Sequence, residues 1–383
     1  MKTYLVGGAV RDILIGRTPR EHDIAFEASV AHFLQANPSA RKVGKRIDVY
    51  LIGNVEHRPV QGGDIRADLL QRDFTINALA LEADGTLHAH PDALADLRAS
   101  IIRPASPEAL MTDPVRVLRA ARFAAQLPEM SLAQETLEAM RAVAAAGYLA
   151  DIPCEQVCRE TLKALGSPAP ERFFRSLAKG GCLQPWFAEV ADLTGVPAGP
   201  PAYHTGSAFD HTNDIMRRLA GDAFDVWLGL CHDLGKGTTP ADILPRHLGH
   251  EHRGEEAATA LGQRLGMSNR FIRGGALAAR MHMKAGRYDT LRPHTRVDLL
   301  LVLHHAGITR NVWNLVTADS GIDHTATAMA ELETILAVKL PPSLRGKGPE
   351  SGRMLREMQC MALAARRTEP DGASGERCPV GPA

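Results

Sequence analysis

The stretch Lys2-Thr-Tyr-Leu-Val-Gly-Gly-Ala-Val-Arg-Asp12 opens the chain and indicates a strand that turns directly into a helix. Its apolar run Tyr4-Leu5-Val6 is typical of a buried strand, and Gly7-Gly8 permits a sharp turn because glycine carries no Cβ. The free backbone N–H groups at the start of the following helix would face an anion, typically a phosphate. The sequence therefore predicts a phosphate-binding turn at Gly7 and Gly8.

A second strand is predicted at Asp23-Ile-Ala-Phe26, with the carboxylates of Glu21 and Asp23 at its start. Residues two apart on a strand point to the same face, so both side chains could hold a metal ion beside the bound phosphate. A phosphate-binding turn next to a metal-binding carboxylate pair indicates nucleotide chemistry.

Length and composition narrow the class of protein. The 383 residues suffice for two or more domains, and the 44 basic and 44 acidic residues cancel, so nucleic-acid binding would depend on local clusters of charge. We expect a cytoplasmic protein with no membrane partner, because the chain shows neither a signal peptide nor an apolar run of membrane-spanning length. Six cysteines without CxxC pairs fit a reducing compartment, and Cys154 and Cys158 are expected to be buried.

The predicted secondary structure changes from mixed α/β to helical near residue 106. Within the first part we expect a strand at 48–52 and a hairpin turn at Asp84-Gly85. The helices predicted after it are 107–125, 131–146, 154–165 and 170–179. A Gly- and Pro-rich stretch at 195–208 indicates a linker or long loop, and a second helical block continues to about residue 330. Residues 331–383 are predicted to hold one helix, 354–367, and a disordered polar tail.

Four motifs occur in order along the chain, namely Gly7-Gly-Ala-Val-Arg-Asp12, the carboxylate pair ending in Asp23, Arg72-Asp-Phe-Thr-Ile-Asn-Ala78 and Asp113-Pro-Val-Arg-Val-Leu-Arg-Ala-Ala-Arg-Phe123. Together they resemble class II tRNA nucleotidyltransferases, the CCA-adding enzymes. The segment Cys231-His-Asp-Leu-Gly-Lys-Gly237 sits where the bacterial subgroup with a C-terminal HD domain carries its metal motif. The resemblance implies an α+β fold, with a nucleotidyltransferase-type head over 1–105, an all-helical neck and body over 106–198, a helical HD domain over 199–330 and the C-terminal segment 331–383.

For the head, the resemblance implies template-independent addition of CCA to tRNA from CTP and ATP, with Glu21 and Asp23 as the catalytic Mg²⁺ ligands. Gly8 and Arg11 would contact the triphosphate. The full set implied to bind nucleotide is Gly8, Arg11, Arg72, Asp73, Asn77, Asp113, Arg116, Arg119 and Arg122. Within it, Asp113 and Arg116 are expected to read the base edge, because a carboxylate acceptor and an arginine donor suit cytosine and adenine.

For the second block, the resemblance implies 2′,3′-cyclic phosphodiesterase, 2′-nucleotidase and phosphatase activities. The expected ligands of a transition metal such as Ni²⁺ or Mn²⁺ are His211, His232, Asp233 and Asp319. Three further histidines could add ligands for a second ion, contact phosphate or lie on an exposed loop, namely His247, His250 and His252. His304 and His305 are interpreted as structural.

Two departures from the family pattern leave alternatives open. Glu21 stands where the family has Asp, and its extra methylene displaces the carboxylate by roughly 1.5 Å, a misplacement large enough to affect rate. The segment 53–66 is short, as in family members that add only the two cytidines. Glu21 could still ligate metal through a backbone shift, could make the enzyme slow or selective for a larger ion such as Mn²⁺, or could mark an RNA-binding protein with an inactive head and an active HD domain. The short segment leaves a CC-adding enzyme open, and a bacterial poly(A) polymerase remains an alternative because it shares the head. A monomer and a homodimer are both compatible with the sequence.

Overall fold

The computed structural model describes residues 1–19, 21–43, 48–202 and 205–366. In these ranges, seven strands of the head form one mixed sheet in the order β3-β4-β5-β2-β1-β6-β7. The strands are β1 (Lys2–Val6), β2 (Asp23–Glu27), β3 (Arg41–Val43), β4 (Val49–Ile52), β5 (Val55–Pro59), β6 (Leu79–Glu82) and β7 (Leu87–Ala89). The helices of the head are α1 (Gly8–Leu14), α2 (Val30–Ala36), α3 (Ile65–Leu70) and α4 (Ala93–Ala99).

Strand β1 lies inside the sheet and sets the geometry of the head. It pairs antiparallel with β2 on one side and with β6 on the other, and the register places Val6 opposite Asp23. The end of β1, where the glycine turn begins, therefore lies beside the start of β2, where the carboxylates are. The hairpin predicted at Asp84-Gly85 is confirmed, since β6 and β7 pair antiparallel and Gly85 has φ of +91°.

Across the other described residues, the secondary structure is helical apart from isolated bridges and one short two-stranded ladder, β8 (Ile101–Ile102) with β9 (Ser131–Leu132). The neck and body helices are α5 (Ala109–Thr112), α6 (Val115–Gln126), α7 (Gln134–Ala145), α8 (Cys154–Leu165), α9 (Glu171–Lys179) and α10 (Ala188–Ala191). The second block has α11 (Ala208–Arg218), α12 (Ala223–Cys231), α13 (His250–Arg264), α14 (Asn269–Ala285), α15 (Pro293–His305), α16 (Thr309–Ser320), α17 (Thr325–Ala337) and α18 (Pro349–Arg366).

The prediction of a single helix over 107–125 is wrong, because this segment forms two helices, α5 and α6. Asp113 adopts an extended backbone with φ of −141° between α5 and α6, as expected for a residue whose helical conformation would clash with the following Pro114. The predicted helix 131–146 likewise begins as strand β9 before α7. Helix α8 has the predicted bounds, but its cysteines Cys154 and Cys158 are partly exposed rather than buried.

A continuous hydrophobic core runs from Phe74 in the head to Leu363 in α18, so the helical blocks pack on one another. Phe173, Phe174 and Phe187 meet edge to face inside it. Helix α18 packs on α15, where Arg356 donates two hydrogen bonds of 2.6 Å to Asp298. The predicted helix end at residue 367 and the predicted tail lie outside the described residues. No helix among the described residues is long and apolar enough to cross a membrane.

Candidate active sites

The predicted strand–turn–helix at the start of the chain is confirmed. Gly7 has φ of +74°, a conformation that favours glycine, and its N–H donates to the Leu79 carbonyl at 2.9 Å. A Cβ at Gly7 would lie 3.2 Å from the guanidinium of Arg72, and one at Gly8 would lie 3.3 Å from that of Arg11. The glycines therefore let two arginines approach the turn closely, which gives it the charge expected of a phosphate-binding element.

The two predicted catalytic carboxylates occupy different positions. Asp23 is the first residue of β2 and is partly buried, whereas Glu21 precedes the strand and is exposed, so the shared strand face expected for the pair does not extend to Glu21. Burial, followed by repulsion from Glu21, raises the pKa of the Asp23 carboxyl, with Arg58 and Arg72 acting in the opposite sense. A carboxyl group such as that of Asp23, whose ionised form is disfavoured by burial and a neighbouring carboxylate, fits the binding of a divalent cation.

A hydrogen-bonded chain connects the glycine turn to neck helix α6. Arg11 Nη1 donates to Asn77 Oδ1 at 2.7 Å, and Asn77 Nδ2 donates to Asp73 Oδ1 at 3.3 Å. Asp73 Oδ2 in turn accepts from Arg119 Nε and Nη2 at 2.9 and 2.5 Å. Burial would raise the pKa of Asp73, but its contacts with Arg119 outweigh that effect and lower it. Four predicted nucleotide-binding residues are thus brought together, and Asp73 is held as an anion.

Arg72 is positioned by a residue that the sequence analysis missed. The buried carboxylate of Asp68 accepts from Arg72 Nη2 and from Arg58 Nη2, each at 2.9 Å. Asp68 lies four residues before Arg72, and this i,i+4 spacing was the local signal that could have identified it. Asp68 therefore holds two cationic side chains next to Asp23.

The remaining predicted residues of the neck are bonded to other partners. Arg116 donates to the backbone carbonyl of Gln71 at 2.9 Å and lies 3.7 Å from the exposed carboxylate of Asp113. Arg122 is buried, and its Nε donates to Glu160 of α8 at 2.5 Å. Glu160 was also missed, and no local pattern marks it, because its partner lies 38 positions away.

The four predicted ligands of the second site converge. His211 Nε2 lies 3.1 Å from Asp319 Oδ1 and 3.5 Å from Asp233 Oδ2. His232 Nε2 lies 3.1 Å from the same Asp233 oxygen, and 3.4 Å from His211 Nε2. Helix α12 delivers His232 and Asp233 at its C-terminal end, while α11 and α16 deliver His211 and Asp319. The set is the donor combination expected for a divalent transition metal.

Two more histidines reach the opposite side of Asp233. His250 Nε2 and His282 Nε2 lie 3.4 and 3.5 Å from Asp233 Oδ1 and 3.3 Å from each other. Of the three histidines left open by the sequence, His250 alone joins the cluster. Both ring nitrogens of His247 are bonded elsewhere, to Thr239 and to the Pro197 carbonyl.

Electrostatics in this pocket favour an ionised Asp233. Burial opposes ionisation, but His232 and Lys236 lower the pKa of Asp233 well below its usual range, and Lys236 Nζ lies 2.7 Å from Oδ2. The same balance lowers the pKa of Asp319 to about 2, because the hydrogen bond from His211 outweighs burial. A cavity of about 190 Å³ opens onto these groups.

Comparison with known proteins identifies the family. Residues 3–52 match the model of the poly A polymerase head domain, and residues 129–193 match that of a probable RNA- and SrmB-binding site of polymerase A. The multifunctional CCA protein of Thioalkalivibrio sulfidiphilus is 39% identical over 330 residues, which cover 78% of this chain and 79% of that protein. The chain belongs to the multifunctional CCA protein family. The member from Xanthomonas axonopodis pv. citri is 34% identical over 408 residues, covering 96% of this chain and 99% of that protein.

Solved structures with the same fold support the predicted architecture. The Thermotoga maritima CCA-adding enzyme complexed with tRNA superimposes with a TM-score of 0.65 at 17% identity, covering 98% of this chain and 88% of that one. A tRNA-processing enzyme with CTP gives 0.59 at 21% identity, covering 94% and 96%. The predicted α+β fold, with a nucleotidyltransferase head and a helical remainder, is therefore confirmed.

His282 also belongs to the cluster, and the sequence did not predict it. It lies near the end of α14 with no motif around it, and it joins the cluster because α14 packs along α13, which carries His250. Nothing in the local sequence distinguishes it from an ordinary helical histidine. His304 and His305 are exposed on α15, outside the cluster.

Proposed function

We propose that this protein adds CCA to the 3′ end of tRNA, using CTP and ATP, by template-independent nucleotidyl transfer. The register that sets Val6 opposite Asp23 supports the proposal most directly, because the glycine turn and its arginines then lie beside the carboxylate that would bind the metal. Membership of the multifunctional CCA protein family supports the same reaction.

Nucleotidyl transfer joins the 3′-hydroxyl oxygen of the RNA to the α-phosphorus. The bond from that phosphorus to the bridging oxygen breaks, pyrophosphate leaves with the electron pair, and the hydroxyl proton passes to solvent. Glu21 and Asp23 would hold Mg²⁺, which would supply charge neutralisation for the attacking and leaving oxygens. Arg11 and Arg72 would bind the triphosphate from either side of the turn.

Recognition of the nucleoside is assigned to the boundary between head and neck. Asp73 and Asn77 would meet the ribose, held in place by Arg119 and Arg11. Asp113 would read the base edge, because its carboxylate is exposed at the break between α5 and α6. Arg116 would join it by exchanging a bond to a backbone carbonyl for one to the base.

The test is incorporation of labelled CTP and ATP, supplied separately and together, into tRNA that lacks its 3′ terminus. We expect C addition from CTP alone and A addition only after CC. Asp23→Asn is expected to abolish incorporation while leaving tRNA binding. Absence of incorporation by the unaltered protein in both Mg²⁺ and Mn²⁺, with tRNA still bound, would favour an RNA-binding protein with an inactive head. Long A tracts would favour a poly(A) polymerase.

CC-only addition is a second candidate, favoured by one observation. Strand β5 occupies residues 55–59 of the segment 53–66 and α3 begins at Ile65, so residues 60–64 alone join the two elements. This connection is where family members carry the flexible loop associated with the change from CTP to ATP. In the same assay, incorporation of ATP after CC would exclude this candidate.

For the second block we propose metal-dependent hydrolysis of phosphate esters, including 2′,3′-cyclic ends of RNA. His211, His232, Asp233 and Asp319 would hold a cation such as Ni²⁺ or Mn²⁺, which would supply Lewis-acid activation of the phosphate. In the hydrolysis, the water oxygen bonds to phosphorus, one ester P–O bond breaks, and the released ribose oxygen takes a proton. Lys236 lines the cavity and would bring positive charge to the phosphate.

The hydrolase is tested with a 2′,3′-cyclic nucleotide and a 2′-phosphorylated RNA end, using protein reconstituted with Ni²⁺ or Mn²⁺. His232→Ala is expected to abolish hydrolysis and to leave nucleotide incorporation unchanged. Hydrolysis that survives in His232→Ala would assign it to another site.

A further inference from the structure

The cavity of the second site is lined by two chemically different groups of residues. His211, Asp233 and Asp319 bring the side chains that would hold the cation, and Lys236 adds positive charge beside them. Other lining residues have no side-chain group that donates a hydrogen bond, namely Ala198, Gly199, Pro200 and Met283. A nucleoside phosphate ester has two matching parts, because its phosphate is charged and its base presents a flat ring face.

One apolar wall comes from the Gly- and Pro-rich segment 195–208, which the sequence predicted only as a linker or long loop. Lys236 Nζ donates to the Ala198 carbonyl at 2.8 Å, and the same nitrogen lies 2.7 Å from Asp233 Oδ2. A single ammonium group therefore connects this wall to the carboxylate of the site. Pro200 follows two residues after that anchored carbonyl.

The wall is also held at two neighbouring points. His247 Nε2 donates to the Pro197 carbonyl at 2.8 Å, since a carbonyl oxygen only accepts. The N–H of Ala198 donates to the Gly206 carbonyl at 3.1 Å. The backbone before Pro200 is thus fixed without a ligand, and a wall that is already ordered costs less entropy when a ligand binds to it.

Met283 is the second apolar group and lies at the opening of the cavity. It is 39% exposed, whereas the preceding residue of α14, His282, is 3% exposed. The thioether of methionine is polarisable and makes favourable contacts with aromatic rings. An exposed methionine at the edge of a charged pocket therefore suits a flat heteroaromatic ring.

The size of the cavity determines which part of a nucleotide would meet these residues. Its volume is about 190 Å³, below the roughly 300–1,000 Å³ of pockets that enclose a whole small ligand. The phosphate and the ribose would therefore fill the cavity, and the base would lie at its opening. A ligand that is held by its terminal nucleotide alone can be the end of a longer RNA.

We propose that Pro200 and Met283 form a nucleobase-binding subsite, which holds the terminal base of the phosphate ester by contact with its ring face. The proposal rests on the hydrolase function proposed above and names the part of the substrate that these two residues recognise. Neither side chain donates a hydrogen bond, so binding depends on the face of the base and not on its edge.

The test compares two classes of substrate in the full chain reconstituted with Ni²⁺ or Mn²⁺. One class is the 2′,3′-cyclic phosphates of adenosine and cytidine, and the other is the 2′,3′-cyclic phosphate of methyl riboside, which has no base. We expect a higher KM for the base-free ester than for the nucleotides. The ratio of these KM values should fall about two- to tenfold in Met283→Ala, the range expected for a contact between sulfur and an aromatic ring.

Pro200→Ala should lower the same ratio, and Met283→Phe should raise it, because a phenyl ring stacks on a base over a larger area. The matched control is Met361→Ala, which removes a 63% exposed methionine of α18 outside the cavity and should keep the ratio. A loss of folded protein does not alter the ratio, because KM does not depend on the amount of active enzyme.

Two results would contradict the proposal in different ways. Equal KM values with and without a base, or a ratio that Met283→Ala leaves unchanged, would overturn the subsite and leave the hydrolase function standing. No hydrolysis of any of the three esters by the unaltered protein would overturn the hydrolase function and the subsite with it.

Discussion

Replacement of Arg122 by methionine would distinguish a structural role from nucleotide binding. Arg122 and Glu160 are 6% and 1% exposed, and their N–O distance is 2.5 Å. The Arg122 guanidinium also lies 4.1 Å from the centre of the Phe123 ring. Arg122→Met keeps the length of the side chain but leaves the Glu160 carboxylate buried without its main partner. We therefore expect a large loss of stability and little change in nucleotide binding.

The size of the effect follows from the burial of both partners. Removing one member of a buried ion pair typically costs about 3–5 kcal/mol. Arg159 Nε lies 3.8 Å from the other oxygen of Glu160 and remains as a weak second partner. The loss should therefore fall near the lower limit, about 3 kcal/mol, which corresponds to roughly a hundredfold change in an opening equilibrium. Combining Arg122→Met with Glu160→Met should recover most of it, because neither charge is then buried alone.

Amide hydrogen exchange in α6 and α8 is the appropriate assay, since it reports local opening in a chain with several domains. We expect exchange in both helices to accelerate in Arg122→Met, to recover in the double variant, and to stay unchanged in the control Arg141→Met, which alters an exposed arginine on α7. The KM for CTP should remain near that of the unaltered protein. Unchanged exchange together with a KM raised about tenfold, about 1.4 kcal/mol of lost binding, would refute the structural role and place Arg122 on the nucleotide.

Three further predictions concern the carboxylates. Glu21→Asp should keep or raise CTP incorporation, since it restores the reach of the family's residue; a collapse of activity would show that the head is built around Glu21. The pKa of Asp319 is lowered from 3.8 to about 2, so in the metal-free protein its contact with His211 stabilises the fold above pH 4 and is lost as the pH falls toward 2. Urea unfolding should therefore show a stability advantage over Asp319→Asn that shrinks across this pH range, and a constant difference would contradict it. After dialysis against metal-free buffer, retained transition metal should disappear in His232→Ala and persist in Asp23→Asn; the reverse pattern would show that the tighter site is in the head.

Local structure could be predicted from the sequence where the residues that determine it lie in one short segment. The strand, the turn through Gly7 and the helix could be predicted because their residues are consecutive and their backbone requirements are specific. The four ligands predicted for the second site could be proposed because His232 and Asp233 are consecutive, and the structure brings His211 and Asp319 to them. Asp113 shows the limit of periodicity, because the apolar pattern continues across the break that Pro114 imposes.

Two of the missed residues, Glu160 and His282, have partners that only helix packing brings to them. Glu160 meets Arg122 because α8 packs on α6, and His282 meets His250 because α14 packs on α13. Neither relation leaves a spacing in the sequence. Asp68 differs, since its i,i+4 spacing to Arg72 was available in the sequence.

The pKa of the central carboxyl group is shifted in opposite directions in the two candidate sites. Burial and Glu21 raise the pKa of Asp23, whereas His232 and Lys236 lower that of Asp233 despite complete burial. In the head, few fixed donors surround the carboxylate, so an ion there depends on oxygens brought by the nucleotide, as is usual for Mg²⁺. In the second pocket, imidazoles are fixed around the carboxylate before any substrate arrives, which favours a resident transition metal. We therefore propose that a cation in the head would enter with each nucleotide, whereas one in the second pocket would stay between turnovers.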